Sequence, residues 1–318
     1  MTVSETDSTL SLQIPDKFAG QRLDQTLAEL YPQFSRSRLQ QWLNDGDLLV
    51  DGKSVKANKK VLGGEFIQIL KQGKDENSAY EGEDVPIDIV YEDNEILVIN
   101  KPRDMVVHPG SGNWSGTLLN GVLFKYPKNK EIPRAGIVHR LDKNTTGLMV
   151  IAKTIESQTS LVRQLQSRTV RREYYALVNG RMPKSGMIDD PIGRHPRNRK
   201  KMAIVSTGKH AVTHFKTTRL GTAWSAISCL LETGRTHQIR VHLTSIGHPI
   251  IGDPTYTGHS KHYDALLKIL PFDRQALHAT SLSLKHPKSD EEMTWTAEAP
   301  SDMQSLASAL KSADDEST

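Results

Sequence analysis

The sequence predicts an α+β protein: a small α/β unit ahead of a larger domain built on a mixed, mainly antiparallel sheet. Three observations predict it. Two helical patterns followed by short strand patterns fill the stretch from Gly20 to Leu70. A polar, acidic stretch with almost nothing to bury comes next, as in a linker. Beyond Val85, apolar runs and turns follow one another without the regular strand–helix–strand rhythm of a parallel sheet.

Leu23, Leu27 and Leu30 recur at i, i+4 and i+7, the stripe of a helix that ends near Pro32. Ser35 or Ser37 caps a second helix, with Leu39, Trp42 and Leu43 inward and a stop at Gly46. Leu48-Leu49-Val50 and Lys53-Ser54-Val55 flank Asp51-Gly52, the composition of a two-residue hairpin. Gly63-Gly64 turns the chain into a third strand, Phe66 to Ile69. In the larger domain, strands are expected at Ile87–Tyr91, Ile96–Asn100, Leu148–Ala152, Tyr174–Val178 and Ala226–Leu231. Helices are expected at Leu118–Phe124 and at Glu156–Gln166, the second with Leu161, Val162 and Leu165 inward. A last helix from Leu306 frays into an acidic end. The division that follows is a disordered tail over 1–17, the small unit over 18–75, a linker over 76–84, the large domain over 85–304 and a tail over 305–318.

The composition bounds the possibilities. Of 318 residues, 36% are hydrophobic and 25% charged, which fits a chain that buries real cores. The single cysteine, Cys229, lies in the apolar run Ala226 to Leu231 and reads as a small buried hydrophobe; an internal disulfide and a multi-cysteine zinc site are excluded. The polar first fifteen residues lack the core of a signal peptide, and no apolar run nears the roughly 18 residues that span a bilayer. A cytoplasmic protein without a membrane partner is expected. The net charge of +4 admits a polyanion without naming one. Its distribution says more. Arg194-His195-Pro196-Arg197-Asn198-Arg199-Lys200-Lys201 carries no acid, and Arg22, Arg36, Arg38 and Lys53 make the small unit basic. Two such surfaces favour a folded RNA over a small metabolite, with binding that weakens steeply with salt.

Two segments concentrate functional side chains. In Gly136-Ile137-Val138-His139-Arg140-Leu141-Asp142-Lys143-Asn144-Thr145-Thr146-Gly147, one acid sits among cations in a tight polar turn between apolar runs. The plain reading is an ion pair with Arg140 or Lys143. The functional reading is a reactive carboxylate, since cationic neighbours and water-excluding walls are what such a group needs. In the second segment, Thr236 caps a helix whose Ile239, Leu243 and Ile246 face inward, ending at Gly247 and Pro249. His237 and Arg240 share a face near its start, whereas His242 diverges from His237 and does not pair with it for a metal.

His139-Arg140-Leu141-Asp142-Lys143 with the following Thr-Thr-Gly resembles the catalytic motif of the RluA-type pseudouridine synthases. Arg172-Glu173-Tyr174 resembles that family's tyrosine motif, and Gly234-Arg235-Thr236-His237-Gln238-Ile239-Arg240 its arginine motif, in the family's order. Gly247 to Asp253 also matches, and the small unit resembles an S4 RNA-binding domain through Ser35 to Arg38 and Asp51-Gly52-Lys53. Asn100 to Asp104 and Val107 to Gly110 are most similar to the branch that acts on large-subunit ribosomal RNA. The resemblance implies the synthases' α+β fold and the isomerisation of uridine to pseudouridine in 23S rRNA or a pre-50S particle, by a monomer with no cofactor and no metal. It implies that Asp142 attacks the ribose C1′ or removes a C2′ proton, that Arg240 pairs with Asp142, and that Tyr174 stacks on the uracil. Arg140 would fill the space of the flipped base, with His139, Arg235 and Ile239 beside it. Two rivals stand against this. An RNA-binding assembly protein without chemistry leaves Asp142, Tyr174 and Arg240 unexplained, and a metal-dependent nuclease needs ligand clusters that the spacing does not offer.

Overall fold

The Leu23–Leu27 stripe forms a helix in the computed structural model, which describes residues 10–31, 34, 36–70, 80–109, 113–198, 201–256 and 272–315. The chain divides into two units, 1–81 with 130–134, and 82–129 with 135–318. In the first, β1 (Leu10–Gln13), α1 (Leu23–Leu30), α2 (Arg36–Asp45), β2 (Leu48–Val50) and β3 (Phe66–Ile69) follow in order. The three strands form one antiparallel sheet in the order β1-β3-β2. Leu23, Leu27, Leu39, Leu43, Leu48, Ile67 and Ile69 are fully buried in its core, and Phe34 meets Trp42 edge-on at 4.8 Å.

Two expectations change here, and another lies outside the described residues. The segment read as a tail carries β1, which completes the sheet by pairing with β3. Ser35, at the expected cap of α2, and the side chains of Ser37 and Arg38 lie outside the described residues. Asp51 and Gly52 do form a tight turn, with φ of 50° and 72°, but Lys53 makes a single bridge to Val50. β2 pairs with β3 instead, because Ser54 Oγ donates to the Leu43 carbonyl and ties that segment to α2.

The second unit is organised around a nine-stranded sheet among the described residues. Its strands are β4 (Ile89–Glu92), β5 (Ile96–Lys101), β6 (Thr146–Ala152), β7 (Arg171–Asn179), β8 (Ser185–Asp189), β11 (Val212–Leu220), β12 (Trp224–Leu231), β13 (Leu277–Lys285) and β14 (Glu292–Thr296). The path runs β4-β5-β6-β13-β7-β12-β11-β8, with β14 beside β13. Every pairing is antiparallel except β13 on β6. A separate ribbon of β9 (Ile192–Arg194) and β10 (Met202–Ile204) flanks the basic loop. β6 is buried at all seven positions, since it is central and covered on both faces. The helices are α3 (Leu118–Lys125), α4 (Ile155–Gln166), α5 (Gln238–Ser245) and α6 (Ser301–Asp315). Thr117 and Thr154 cap α3 and α4 by accepting the backbone N–H three residues on. Of the three α4 side chains expected inward, Leu161 is fully buried, while Val162 and Leu165 are half-buried.

The C-terminal segment is a second correction to the expected tails. α6 begins at Ser301 and buries Met303, Leu306 and Leu310, and its Asp314 accepts from the Trp224 indole at 2.8 Å and from Thr222 N at 3.0 Å. Cys229 is buried on β12, and burial pushes its thiol up to about 12. No helix among the described residues is long and apolar enough to cross a membrane.

Candidate active site

The loop that carries Asp142 is held by backbone contacts at both ends. Ile137 bridges Ile151 of β6, and His139 Nε2 accepts the Val150 N–H at 3.1 Å. That bond spends the ring on the loop itself. Burial first, and Arg172 second, push the His139 imidazole down to about 3. On the far side, Gly147 has φ of 114°, and a Cβ there would come within 2.3 Å of the Ala279 carbonyl. Glycine is what lets β6 and β13 approach closely enough to pair in parallel.

Three further side chains pin the turn. Gln275 Nε2 donates to Thr145 Oγ1 at 2.9 Å, Thr146 Oγ1 shares a 2.8 Å bond with His278 Nδ1, and Arg274 Nη1 donates to the Asn144 carbonyl. From β5, the fully buried Lys101 donates Nζ to the carbonyls of Pro102, Met105 and Lys143, all within 2.9 Å. Burial draws the Lys101 pKa down to about 7, against the pull of Asp142, while three acceptors match the three ammonium hydrogens. Sequence reasoning did not single out Lys101, Gln275 or His278. A lysine before a proline says nothing of burial, and the other two lie just before and within β13, where no element was read from the sequence.

Asp142 itself remains partly open, 17% exposed. Its partner is neither Arg140 nor Lys143, both of which are exposed; it is Arg240 Nη1, 2.8 Å from Oδ2. Arg240 is 5% exposed and is held in turn by Asp253, with Nε donating to Oδ2 at 2.7 Å and Nη2 to Oδ1 at 2.9 Å. Asp253 is fully buried and also accepts the N–H groups of Thr255 and Tyr256. Two carboxylates outweigh the cost of burying the guanidinium and raise its pKa further. The fork therefore has two fixed prongs, and a third is left for Asp142.

The helix that delivers Arg240 starts one residue later than expected. The cap is His237, not Thr236; it has φ of 56° and no capping hydrogen bond from its side chain. Gln238 builds the turn instead, its Oε1 accepting from Arg235 N and Thr233 Oγ1, its Nε2 donating to Val212 O and Thr213 Oγ1. Ile246 falls beyond the helix and is exposed. The left-handed backbone turns the His237 ring to Asp142, with Nε2 3.8 Å from Oδ1. Its Nδ1 lies 2.7 Å from the Tyr256 hydroxyl, which accepts from Met202 N. Burial lowers the His237 pKa, against Asp142. Arg240 also lies 5.0 Å from the centre of the Tyr256 ring.

Tyr174 is 5% exposed on β7, and burial raises its pKa, with Arg172 opposing and Asp142 adding. Ile239 is buried on α5, and Arg235 donates Nε to the His210 carbonyl at 3.0 Å. Arg194 and Arg197 are exposed beside the ribbon, Lys201 lies 6.0 Å from the Tyr256 ring, and Arg199 and Lys200 lie outside the described residues. In the first unit Lys53 is exposed, while Arg22 and Arg36 grip the buried Asp24 and keep about half of each side chain in solvent.

Residues 95–245 match the family model for RNA pseudouridylate synthase, and residues 21–67 match the S4 domain. The chain is 52% identical over 308 residues to the ribosomal large subunit pseudouridine synthase D of Vibrio vulnificus, covering 95% of this chain and 94% of that one. It is 49% identical over 307 residues to the protein of the same name from Nitrosomonas europaea, covering 96% and 89%. Among solved structures, human RNA pseudouridylate synthase domain containing 4 superposes with a TM-score of 0.57 at 26% identity, over 70% of this chain and 93% of that one. Its counterpart, domain containing 1, gives 0.54 at 27% identity, over 72% and 96%.

Proposed function

This chain belongs to the RNA pseudouridylate synthase family, and from that premise we propose that it isomerises specific uridines of large-subunit ribosomal RNA to pseudouridine with Asp142 as the reacting carboxylate. The observation that carries this reading is the arrangement of Asp142. One oxygen is held by an arginine whose other donors are locked by a buried Asp253, while the side chain stays partly open to solvent. A carboxylate so aimed serves either first step, attack at C1′ or removal of the C2′ proton. In both, the glycosidic bond breaks, the uracil turns, C5 bonds to C1′ while N1 takes up a proton, the C5 proton leaves with help from Tyr174, and the Asp142 carboxylate is regenerated.

Tyr174 supplies an apolar wall and a ring for the uracil to stack on, and Arg140, exposed next to Asp142, is placed to fill the space of the displaced base. The S4 domain and the basic loop hold the ribosomal RNA through its phosphates. We place the enzyme in the cytoplasm, acting as a monomer without a metal or cofactor during ribosome assembly, with domains at 18–75 and 85–304 extended by β1 and α6. The test is release of tritium from 5-tritiated uridine in large-subunit rRNA. The wild type releases it, Asp142→Asn does not while keeping its fold and RNA affinity, and residual turnover in a clean preparation would overturn the assignment. Mapping pseudouridines in rRNA from a deletion strain identifies the sites.

A further inference from the structure

Strand β7 presents a second polar side chain on the face that carries Tyr174. Arg172 lies two residues before it, is 7% exposed, and stands opposite Leu282 of β13. Its Nε–H is buried without an acceptor, and among the described residues the guanidinium makes no hydrogen bond and no ion pair. The other buried arginines of this unit are treated differently. Arg240 is clamped by Asp142 and Asp253, and Arg274 is clamped by Asp302 at 2.7 and 2.8 Å. A guanidinium taken out of water without a partner works against folding, so a site that keeps one needs another reason for it.

Its surroundings supply that reason. A Cβ on Gly234 would come within 2.8 Å of Arg172 Nη1, so the turn leading to α5 leaves room for this side chain. The charge of Arg172 is felt by His139 in the Asp142 loop and by Tyr174. All three sequence motifs therefore meet at one unpaired fork of donors.

We infer that Arg172 is a further substrate-binding residue, donating to a carbonyl oxygen of the displaced uracil. The inference rests on the synthase reading. Depth favours the base over a phosphate: Arg172 is as enclosed as Tyr174, whereas the backbone of a folded RNA stays at the mouth of a cleft. The reaction itself favours a carbonyl. For C5 to take the place of N1, the uracil turns over about its N3–C6 axis, and that turn exchanges the two carbonyl oxygens. A donor fixed at one carbonyl position therefore meets an equivalent acceptor before and after the turn. The same donor therefore anchors the ring through one oxygen before the turn and through the other after it, on both sides of the step in which the glycosidic bond is absent.

The experiment compares wild type, Arg172→Met and Arg172→Lys. It measures thermal midpoint without RNA, affinity for a large-subunit rRNA transcript at several salt concentrations, and the single-turnover rate of tritium release. Arg172→Met is expected to melt at or a few degrees above the wild-type temperature, because an unpaired buried cation has been removed. Its RNA affinity and salt dependence stay within about twofold of wild type while turnover falls about 100-fold. Arg172→Lys keeps the charge but not the planar fork, and loses about 10-fold. A lower melting temperature for Arg172→Met would mean a structural role and overturn the inference. So would a salt slope reduced by about one, the mark of a lost phosphate contact. If the wild type releases no tritium, the synthase reading fails; if all three turn over alike, only the role of Arg172 does.

Discussion

Two clusters in this molecule use the same side chains to opposite ends. In the S4 unit a buried Asp24 takes bonds from Arg22, Arg36 and Gln40, and these, led by Arg22, hold its carboxyl well below the usual carboxylate range. One acid lies inside and two guanidiniums reach outward, so the cluster is net positive. In the synthase unit a buried Arg240 joins the enclosed Asp253 to the partly open Asp142, so that cluster is net negative and leaves one carboxylate partly exposed. Which partner is buried decides what the surface offers: guanidinium donors in one place, a carboxylate oxygen in the other.

The widest separation between the two comes from removing each acid's charge. Asp142→Asn is expected to cut turnover by at least roughly 10⁴-fold and leave the melting temperature nearly unchanged. Asp24→Asn does the reverse, lowering stability by about 2 kcal/mol, because two half-exposed arginines lose their anchor, with little change in turnover at saturating RNA. Circular dichroism melts and tritium release on both variants decide it, and equal effects on both readouts would break the contrast.

Asp253→Asn tests whether Arg240 must be held from behind. Turnover should fall about 100-fold with KM little changed, since the carboxylate is aimed less well but still present. Steady-state kinetics with wild-type rates would show that Arg240 needs no second anchor.

The loop also carries an acid limit that sets in at higher pH than that of the S4 cluster, whose Asp24 loses its stabilising charge only below the usual carboxylate range. His139 has a folded pKa near 3 against 6.5 unfolded, so the unfolded chain binds its proton more readily. The stability this gives is present above pH 6.5 and is lost as pH falls toward 3, about 2 kcal/mol of it by pH 5. His139→Gln, whose amide oxygen can still accept from Val150, should flatten the denaturation midpoint between pH 6.5 and 5. An unchanged slope would place the acid sensitivity elsewhere.

The smallest effect belongs to the exposed arginines. Replacing Arg22 and Arg36 with Gln should reduce the log–log salt slope of RNA binding by about one to two, with the single-turnover rate unaltered. Filter binding across a salt series measures it.

Much of this was legible in the sequence where the signal is local. The Leu23–Leu27 stripe, the β5 and β6 runs and the α3 and α4 patterns depend on neighbours a few residues away, and they form where their periodicity puts them. Asp142 stood out as one acid in a basic turn. Where a distant partner intervened, local rules failed. Lys53 to Val55 became a tie to α2, β1 formed because β3 offered an edge, and His237 took the cap from Thr236 because Gln238 bonds β11 and the turn before the helix.

The sequence by itself determined the kind of protein, the order of its motifs and which acid is a candidate for chemistry, because residue type and short-range spacing carry that information. Residue pattern alone left Arg140 and Lys143 as partners of Asp142, the family resemblance pointed to Arg240, and the tertiary structure supplies the physical reason for that pairing. Arg240 is 98 residues away and Asp253 beyond it, and they converge because β6, β13, β7 and β12 lie side by side in the sheet. Ion pairs and hydrogen bonds form over ångströms, so the nearest charges along the chain, Arg140 and Lys143, lost Asp142 to one that folding brought closer.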